Sequence, residues 1–123
     1  MKLGNFSVSL NVADIAKSRA FYEKLGFSEV GGDASQGWLI LKNDSTKIGL
    51  FKGMFERNML TFNPGWDENR NTLESFDDVR RIQRELLASG IALDSKTDEN
   101  GTGPGHIMLT DPDGNPILID QHV

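Results

Sequence analysis

The chain has 123 residues, a formal net charge of −5 at pH 7 and no cysteine. This length suits one domain of ordinary size or two small repeats that share a core, and 37% hydrophobic with 25% charged residues is typical of a globular protein. The lack of cysteine excludes disulfides, zinc–thiolate sites and cysteine nucleophiles, and the acidic charge disfavours binding to nucleic acid.

The first half of the chain predicts a strand, a helix and three more strands. Apolar and polar residues alternate over residues 6–12, which is the period of a strand with one apolar face. Asp14 is placed to cap the helix that follows, and Gly26 is placed to end it. The apolar stripe of this helix is predicted to contain Ile15, Ser18, Phe21, Tyr22 and Leu25. The further strands are predicted at residues 27–30, 38–41 and 48–51.

The second half predicts the same order of elements. Its helix is predicted over residues 75–89, where Ser75 and Asp78 resemble a capping box and Gly90 ends the helix. Strands are predicted at residues 59–63, 91–94, 106–110 and 117–121. Gly26 and Gly90 follow the two helices at equivalent places, so the pattern predicts an α+β protein made of two βαβββ units.

The second half also contains an arginine cluster, two polar connections and a tryptophan whose surroundings can be predicted. Arg80, Arg81 and Arg84 stand among acidic residues at helical spacing, which indicates an exposed, self-paired helix face. The connection 64–72 and the loop 95–105 are polar and rich in glycine, so we expect both to be mobile. Trp66 in the connection is expected either to cover a ligand or to cap the core or a dimer interface.

Two segments carry a resemblance to a known family. The first is Val12-x-Asp14, then Ser18-x-x-Phe21-Tyr22 and Leu25-Gly26-Phe27; the second is Asp111-Pro112-Asp113-Gly114-Asn115 before the last strand. Together they resemble the vicinal oxygen chelate superfamily, which includes glyoxalase I, extradiol dioxygenases and bleomycin-resistance proteins. The resemblance implies a single domain over residues 1–123, with modules at about 5–52 and 58–121. It also implies a cup-shaped mixed sheet with the helices on its outer face.

The resemblance further implies where a metal ion would be held. Metal enzymes of this superfamily hold one divalent ion through four inward-facing His, Glu or Gln residues. The matching positions here are Ser7, Gly49, Met59 and Leu118. None of these residues offers the imidazole or carboxylate that such ions prefer, so we expect no metal and no other cofactor.

Alternation along the strands predicts which residues line the cup. Where every second residue packs on a helix, the residues between them face inward. The predicted ligand-binding residues are Ser7, Ser9, Asn11, Phe51, Met59, Thr61, Asn63, Trp66, Met108 and Leu118. Apolar walls with a few hydrogen-bonding groups are typical of a small-molecule site.

The last hairpin carries the candidate catalytic residues. His106 and Asp120 are predicted to lie on the same face of adjacent strands, where the carboxylate can orient the imidazole as a general base. The alternatives are a hydrogen-bonded lining histidine beside a rim carboxylate, or a displaced metal site that also uses His122.

Three functions remain open at this point. The first is a metal-free binding protein resembling the bleomycin-resistance proteins, in which a homodimer binds a small amphipathic or aromatic molecule. The second is a metal-free or metal-displaced lyase or isomerase that uses His106 and Asp120, and the third is a domain without a ligand. We expect no nucleic-acid partner. Because no stretch reaches the roughly 18 apolar residues of a spanning helix, we also expect no membrane partner and a cytoplasmic location.

Overall fold

Seven strands and two α-helices make up the computed structural model, which describes all 123 residues and has the α+β composition predicted from the sequence. No helix is long and apolar enough to cross a membrane. The elements in chain order are β1 (Asn5–Asn11), α1 (Ile15–Lys24), β2 (Ser28–Asp33), a 3₁₀ turn (Ala34–Gln36), β3 (Trp38–Asn43), β4 (Thr46–Phe51), β5 (Met59–Asn63), α2 (Val79–Ala88), β6 (Gly105–Thr110) and β7 (Pro116–Gln121). The chain divides into two compact units, which are Ser7–Met59 and Met1–Phe6 with Leu60–Val123.

The unit Ser7–Met59 has the strand order β2-β3-β4-β1. β1 runs parallel to β4, and β3 is antiparallel to both of its neighbours. The core under α1 contains Ile15, Leu39, Leu41, Ile48 and Leu50, with Val8, Leu10 and Val12 packed against it. The alternation predicted for β1 is therefore confirmed, since its apolar residues face α1.

Both ends of α1 are as predicted, but its predicted apolar stripe is only partly buried. Asp14 caps the helix by accepting a hydrogen bond from the Lys17 amide at 3.1 Å. Gly26 ends it in the left-handed region, with φ at +92°. Of the predicted apolar stripe, Ile15 lies in the core and Tyr22 packs against it, whereas Phe21 and Leu25 are 59% and 57% exposed. Tyr22, about 100° further around the helix than Phe21, packs edge-on against Phe27.

In the other unit the strand order is β5-β7-β6, with β5 parallel and β6 antiparallel to β7. The core under α2 contains Val79, Ile82, Ile107, Leu109 and Ile119, with Phe62, Leu86 and Ile117 packed against it. The strand predicted at residues 91–94 is absent, so this unit has three strands and not four. Only Ser95 pairs with Met108, as an isolated bridge.

The predicted capping box of α2 is wrong, because the helix begins at Val79 and is capped by Asp78. The Asp78 carboxylate accepts a hydrogen bond from the Arg80 amide at 2.9 Å. The Val79 amide donates to the buried Gln121 side chain at 2.7 Å. Asp77, one residue earlier, is held outside the helix by the Lys2 amide at 2.7 Å. These contacts satisfy the first free amides of the helix without Ser75.

Polar side chains of α2 fix the loop 95–105, which was predicted to be mobile. The Arg80 side chain is only 8% exposed, and its guanidinium donates to the carbonyl oxygens of Asp98, Gly103 and Pro104 at 2.9–3.3 Å. Gln83 is 2% exposed and exchanges hydrogen bonds with the backbone of Thr97. The exposed face predicted for the helix holds for Arg81, which pairs with Asp77 and Glu85, and for Arg84, but not for Arg80.

Candidate functional site

In the unit Ser7–Met59, strand register defines the face opposite α1. Ser9 lies beside Gly49, and Asn11 lies beside Phe51, as alternation predicts. β3 adds Ile40 beside Gly49 and Trp38 beside Phe51, two residues that the sequence analysis did not select. The alternation of side chains along β3 could have indicated Trp38, but only the register of β3 on β4 shows that it lies beside Phe51.

An aromatic cluster of Trp38, Phe51 and Phe55 lies on this face. The rings of Trp38 and Phe51 are nearly parallel, with centroids 6.4 Å apart, and Phe55 is tilted against Phe51 at 5.3 Å. The Phe51 ring also folds back over Gly49, so that a Cβ atom added at Gly49 would lie 2.5 Å from Phe51 Cε2. Only the missing side chain at position 49 leaves room for the ring in this position.

Half of the predicted ligand-binding residues are buried. These are Ser7, Ser9, Met59, Thr61 and Asn63. Phe51, Trp66, Met108 and Leu118 are half-buried, and Asn11 is exposed. The Asn11 side chain donates to the Glu56 carbonyl oxygen at 3.2 Å, and its backbone amide donates to the Asn58 side chain at 2.8 Å. Asn11 therefore holds the chain before β5, and the lining as a whole stays a prediction.

In the other unit a chain of buried amides leads to Asp120. Asn5 donates to the Asn63 side chain at 2.8 Å, and Asn63 donates to the Asp120 carbonyl oxygen at 2.9 Å. Both asparagines are at least 94% buried. The backbone of Trp66 is fixed to the same pair, since Asn5 N donates to the Trp66 oxygen and Trp66 N donates to the Asn63 oxygen. The end of β7 and the start of the connection after β5 are thereby joined.

The side chains above this scaffold form a second group, which we call the Asp120–His122 pair. Asp120 Oδ2 lies 3.3 Å from His122 Nε2. The His122 ring stacks on the ring of Trp66, with centroids 4.5 Å apart and planes inclined by 5°. The hydrogen bond that His122 donates to Asp120 raises the pKa of His122, and the negative charge of that carboxylate raises it further. Burial and the positive charge of Arg70 lower this pKa. Trp66 therefore contacts a residue of the candidate site.

The predicted partner of Asp120 was His106. The pairing of β6 with β7 places these two residues opposite each other, and His106 is exposed. The Asp120 carboxylate, however, contacts His122, which lies two residues along the same strand direction. The strand pattern does not predict this contact, because His122 lies beyond the predicted strand at residues 117–121. A catalytic role for His106 stays a prediction.

The positions that match the superfamily's metal ligands do not fit a divalent ion. Ser7 and Met59 are buried, and the space beside Gly49 is filled by the ring of Phe51. Serine, glycine, methionine and leucine do not form the nitrogen and carboxylate donor set of such sites. No group of three or more His, Asp or Glu side chains is arranged to hold a metal ion.

A separate cleft of about 430 Å³ lies between α1 and the 3₁₀ turn. Its walls include Ile15, Ala20 and Leu39. Its charged residues neutralise each other, since Arg19 Nε lies 2.6 Å from Glu23 Oε1. None of the residues predicted to bind a ligand lines this cleft.

Comparison with known proteins identifies one family. Residues 5–119 match the profile of the glyoxalase/bleomycin resistance protein/dioxygenase superfamily. No curated protein matches the chain.

Solved structures with a similar fold have low sequence identity to this chain. A superfamily member from Vibrio splendidus 12B01 is 16% identical with a TM-score of 0.64, over 95% of this chain and 97% of the other. Methylmalonyl-CoA epimerase from Mycobacterium tuberculosis is 17% identical with a TM-score of 0.65, over 100% and 93%. An extradiol ring-cleaving dioxygenase from B. fuscum is 22% identical with a TM-score of 0.60, over 99% of this chain and 33% of the enzyme. At such identities the likeness shows the fold alone.

Proposed function

Because the chain belongs to the glyoxalase/bleomycin resistance protein/dioxygenase superfamily, we propose that it is a small-molecule-binding member that lacks the superfamily's usual metal ligands. The observation that carries this proposal is the Phe51 ring over Gly49. A metal enzyme of the superfamily needs a ligand side chain at this position. Here an aromatic surface takes its place, which suits contact with an apolar or planar ligand.

The ligand class follows from the groups that remain accessible. The aromatic cluster offers the ring faces of Trp38, Phe51 and Phe55. The net charge of −5 favours cationic over anionic ligands in solution. A small amphipathic or aromatic molecule is the ligand that we propose.

Tryptophan fluorescence provides the test, because the chain has only two tryptophans. Protein treated with EDTA is screened against basic aromatic compounds, aromatic acids and short carbonyl compounds. At least one compound is expected to bind and to quench Trp38 in a Trp66→Phe variant. Phe51→Ala is expected to weaken that binding by about tenfold, the order of one lost aromatic contact.

Phe21→Ala is the matched control, since Phe21 is exposed on α1 and outside the aromatic cluster. It is expected to leave the dissociation constant unchanged. Equal losses in Phe21→Ala and Phe51→Ala, or binding that requires a divalent ion, would contradict the proposal.

A homodimer and a cytoplasmic location complete the proposal. Phe6 and Leu60 are 41% and 36% exposed, and the ring of Phe6 packs on Phe62 at 5.0 Å, so a second copy has apolar surface to cover. Native mass spectrometry is expected to find two chains per particle. A monomer at every protein concentration would remove the dimer from the proposal.

A metal-free lyase or isomerase that uses His106 and Asp120 is the alternative. The contact between Asp120 and a histidine favours it, although that histidine is His122. Turnover that is lost on His106→Gln would support the alternative over simple binding.

A further inference from the structure

The Asp120–His122 pair has the arrangement of an oriented general base. A carboxylate that contacts one ring nitrogen of a histidine fixes the ring and increases the basicity of the other nitrogen. In this pair Asp120 Oδ2 contacts Nε2, so Nδ1 is the ring nitrogen that remains to act as a base. The His122 side chain is 46% exposed, which suits a group that meets a small molecule from solvent.

One ring stack and four hydrogen bonds hold the pair in place before any ligand binds. The ring of His122 lies flat on Trp66. The Asp120 backbone is held by Asn63, which is held in turn by Asn5. Trp66 is fixed to both asparagines through its own backbone. A catalytic group that is locked by packing and hydrogen bonds in this way loses no energy to reorganisation when it reacts.

The charges around His122 suit a group that accepts a proton. Asp120 on β7 stabilises the imidazolium, and Arg70 in the connection 64–72 opposes it. The neighbouring residues on the same face of β6 and β7 are the exposed His106, opposite Asp120, and the half-buried apolar residues Met108 and Leu118. An apolar surface beside a base suits a neutral, planar substrate better than a charged one.

We propose that His122 is a general base for a small planar molecule with an acidic C–H bond, and that Asp120 and Trp66 are its positioning residues. Nδ1 removes the proton, and the electron pair left on carbon either forms a new multiple bond as the bond from the adjacent atom to a leaving group breaks, or is stabilised by a neighbouring group. The proton leaves later from Nδ1, to the product or to water. This inference rests on the proposed function, because it makes the bound small molecule a substrate.

The probe for the test is 5-nitrobenzisoxazole, a planar aromatic compound that any well-placed base can open. The base removes the ring C–H proton, the electron pair forms a nitrile, the N–O bond breaks, and a coloured phenolate is released. The value of kcat/KM at pH 8 is expected to be about a hundredfold higher for wild type than for His122→Gln, at the lower edge of the usual effect of general bases.

Asp120→Asn separates a positioning role from a structural one. It is expected to reduce the rate and to move the pH profile to lower pH, because the pKa of His122 falls when the carboxylate is lost. Asp113→Asn is the matched control, since Asp113 is an exposed carboxylate in the turn between β6 and β7. It is expected to change neither the rate nor the profile.

Side-chain NMR provides a second readout, because the chain has only two histidines. The pKa of His122 is expected above its usual 6.5 in wild type and lower in Asp120→Asn. Equal kcat/KM for wild type and His122→Gln would overturn the inference, and so would loss of the rate in His106→Gln alone. The first result leaves the binding proposal standing, since that proposal is tested separately by the compound screen and Phe51→Ala, whereas the second would favour the alternative enzyme that uses His106.

Discussion

Replacing Arg80 by methionine tests whether the buried polar face of α2 fixes the loop 95–105. The change keeps the aliphatic stem and removes every donor of the guanidinium. Three carbonyl oxygens in the loop and the Asp78 carboxylate then lose the hydrogen bonds that the guanidinium donates, although Gln121 still donates to the Gly103 oxygen and to Asp78. Each hydrogen bond to a charged group contributes about 1.5–3 kcal/mol, but water can reach the freed loop, so we expect a net loss of about 3 kcal/mol.

Urea unfolding measures this loss directly. Because the typical stability of a protein is about 5–15 kcal/mol, this loss should clearly lower the urea concentration at the midpoint of unfolding. Trypsin provides a local readout at Lys96, an exposed residue of the loop, where Arg80→Met is expected to be cut faster than wild type. Arg84→Met is the control, because Arg84 is exposed on the same helix. If Arg80→Met and Arg84→Met have the same midpoint and the same cleavage rate, the loop is not held by Arg80.

Three further substitutions test the fold and the site. Phe21→Ser is expected to change the free energy of unfolding by less than about 0.5 kcal/mol and Tyr22→Ala to cost about 2 kcal/mol, since only Tyr22 packs on the core. Equal urea midpoints would contradict this. Gly90→Ala should cost about 1 kcal/mol in the same assay, because Gly90 has φ at +83° and no neighbour within 4 Å of an added Cβ. Asp120→Asn should lower stability most below about pH 6.5, because a raised His122 pKa stabilises the fold while the imidazole is protonated. The difference from wild type should disappear as pH rises through the folded-state pKa of His122, and a difference that is constant with pH would refute this.

Local chemistry made the C-terminal ends of both helices and the start of α1 predictable. Gly26 and Gly90 adopt the left-handed conformation, and the amides that follow them bond back to the last turn of each helix. Asp14 caps α1 as its position suggests. These features depend on a few neighbouring residues, so the sequence is enough to locate them.

Features that depend on distant residues were not predictable in the same way. The start of α2 is set by Gln121, which lies 42 residues beyond Val79 and accepts its amide hydrogen bond. The strand predicted at residues 91–94 is absent, and Arg80 and Gln83 donate hydrogen bonds to backbone oxygens of the loop that follows these residues. No period in the sequence marks a buried arginine or glutamine, because helical spacing looks the same for a solvated charge and a buried one.

The candidate site shows the same division between local and distant information. Alternation placed Phe51 and Asp120 on the correct faces of their strands, because the side-chain period of a strand is two. It could not reveal that Phe51 folds over Gly49, or that Asp120 contacts His122 and not His106, since both depend on side-chain direction. Those two contacts carry the proposals made for this protein. Substitution of Phe51 and of His122 therefore tests what the strand pattern alone could not decide, and failure of the His122 test leaves the binding proposal standing.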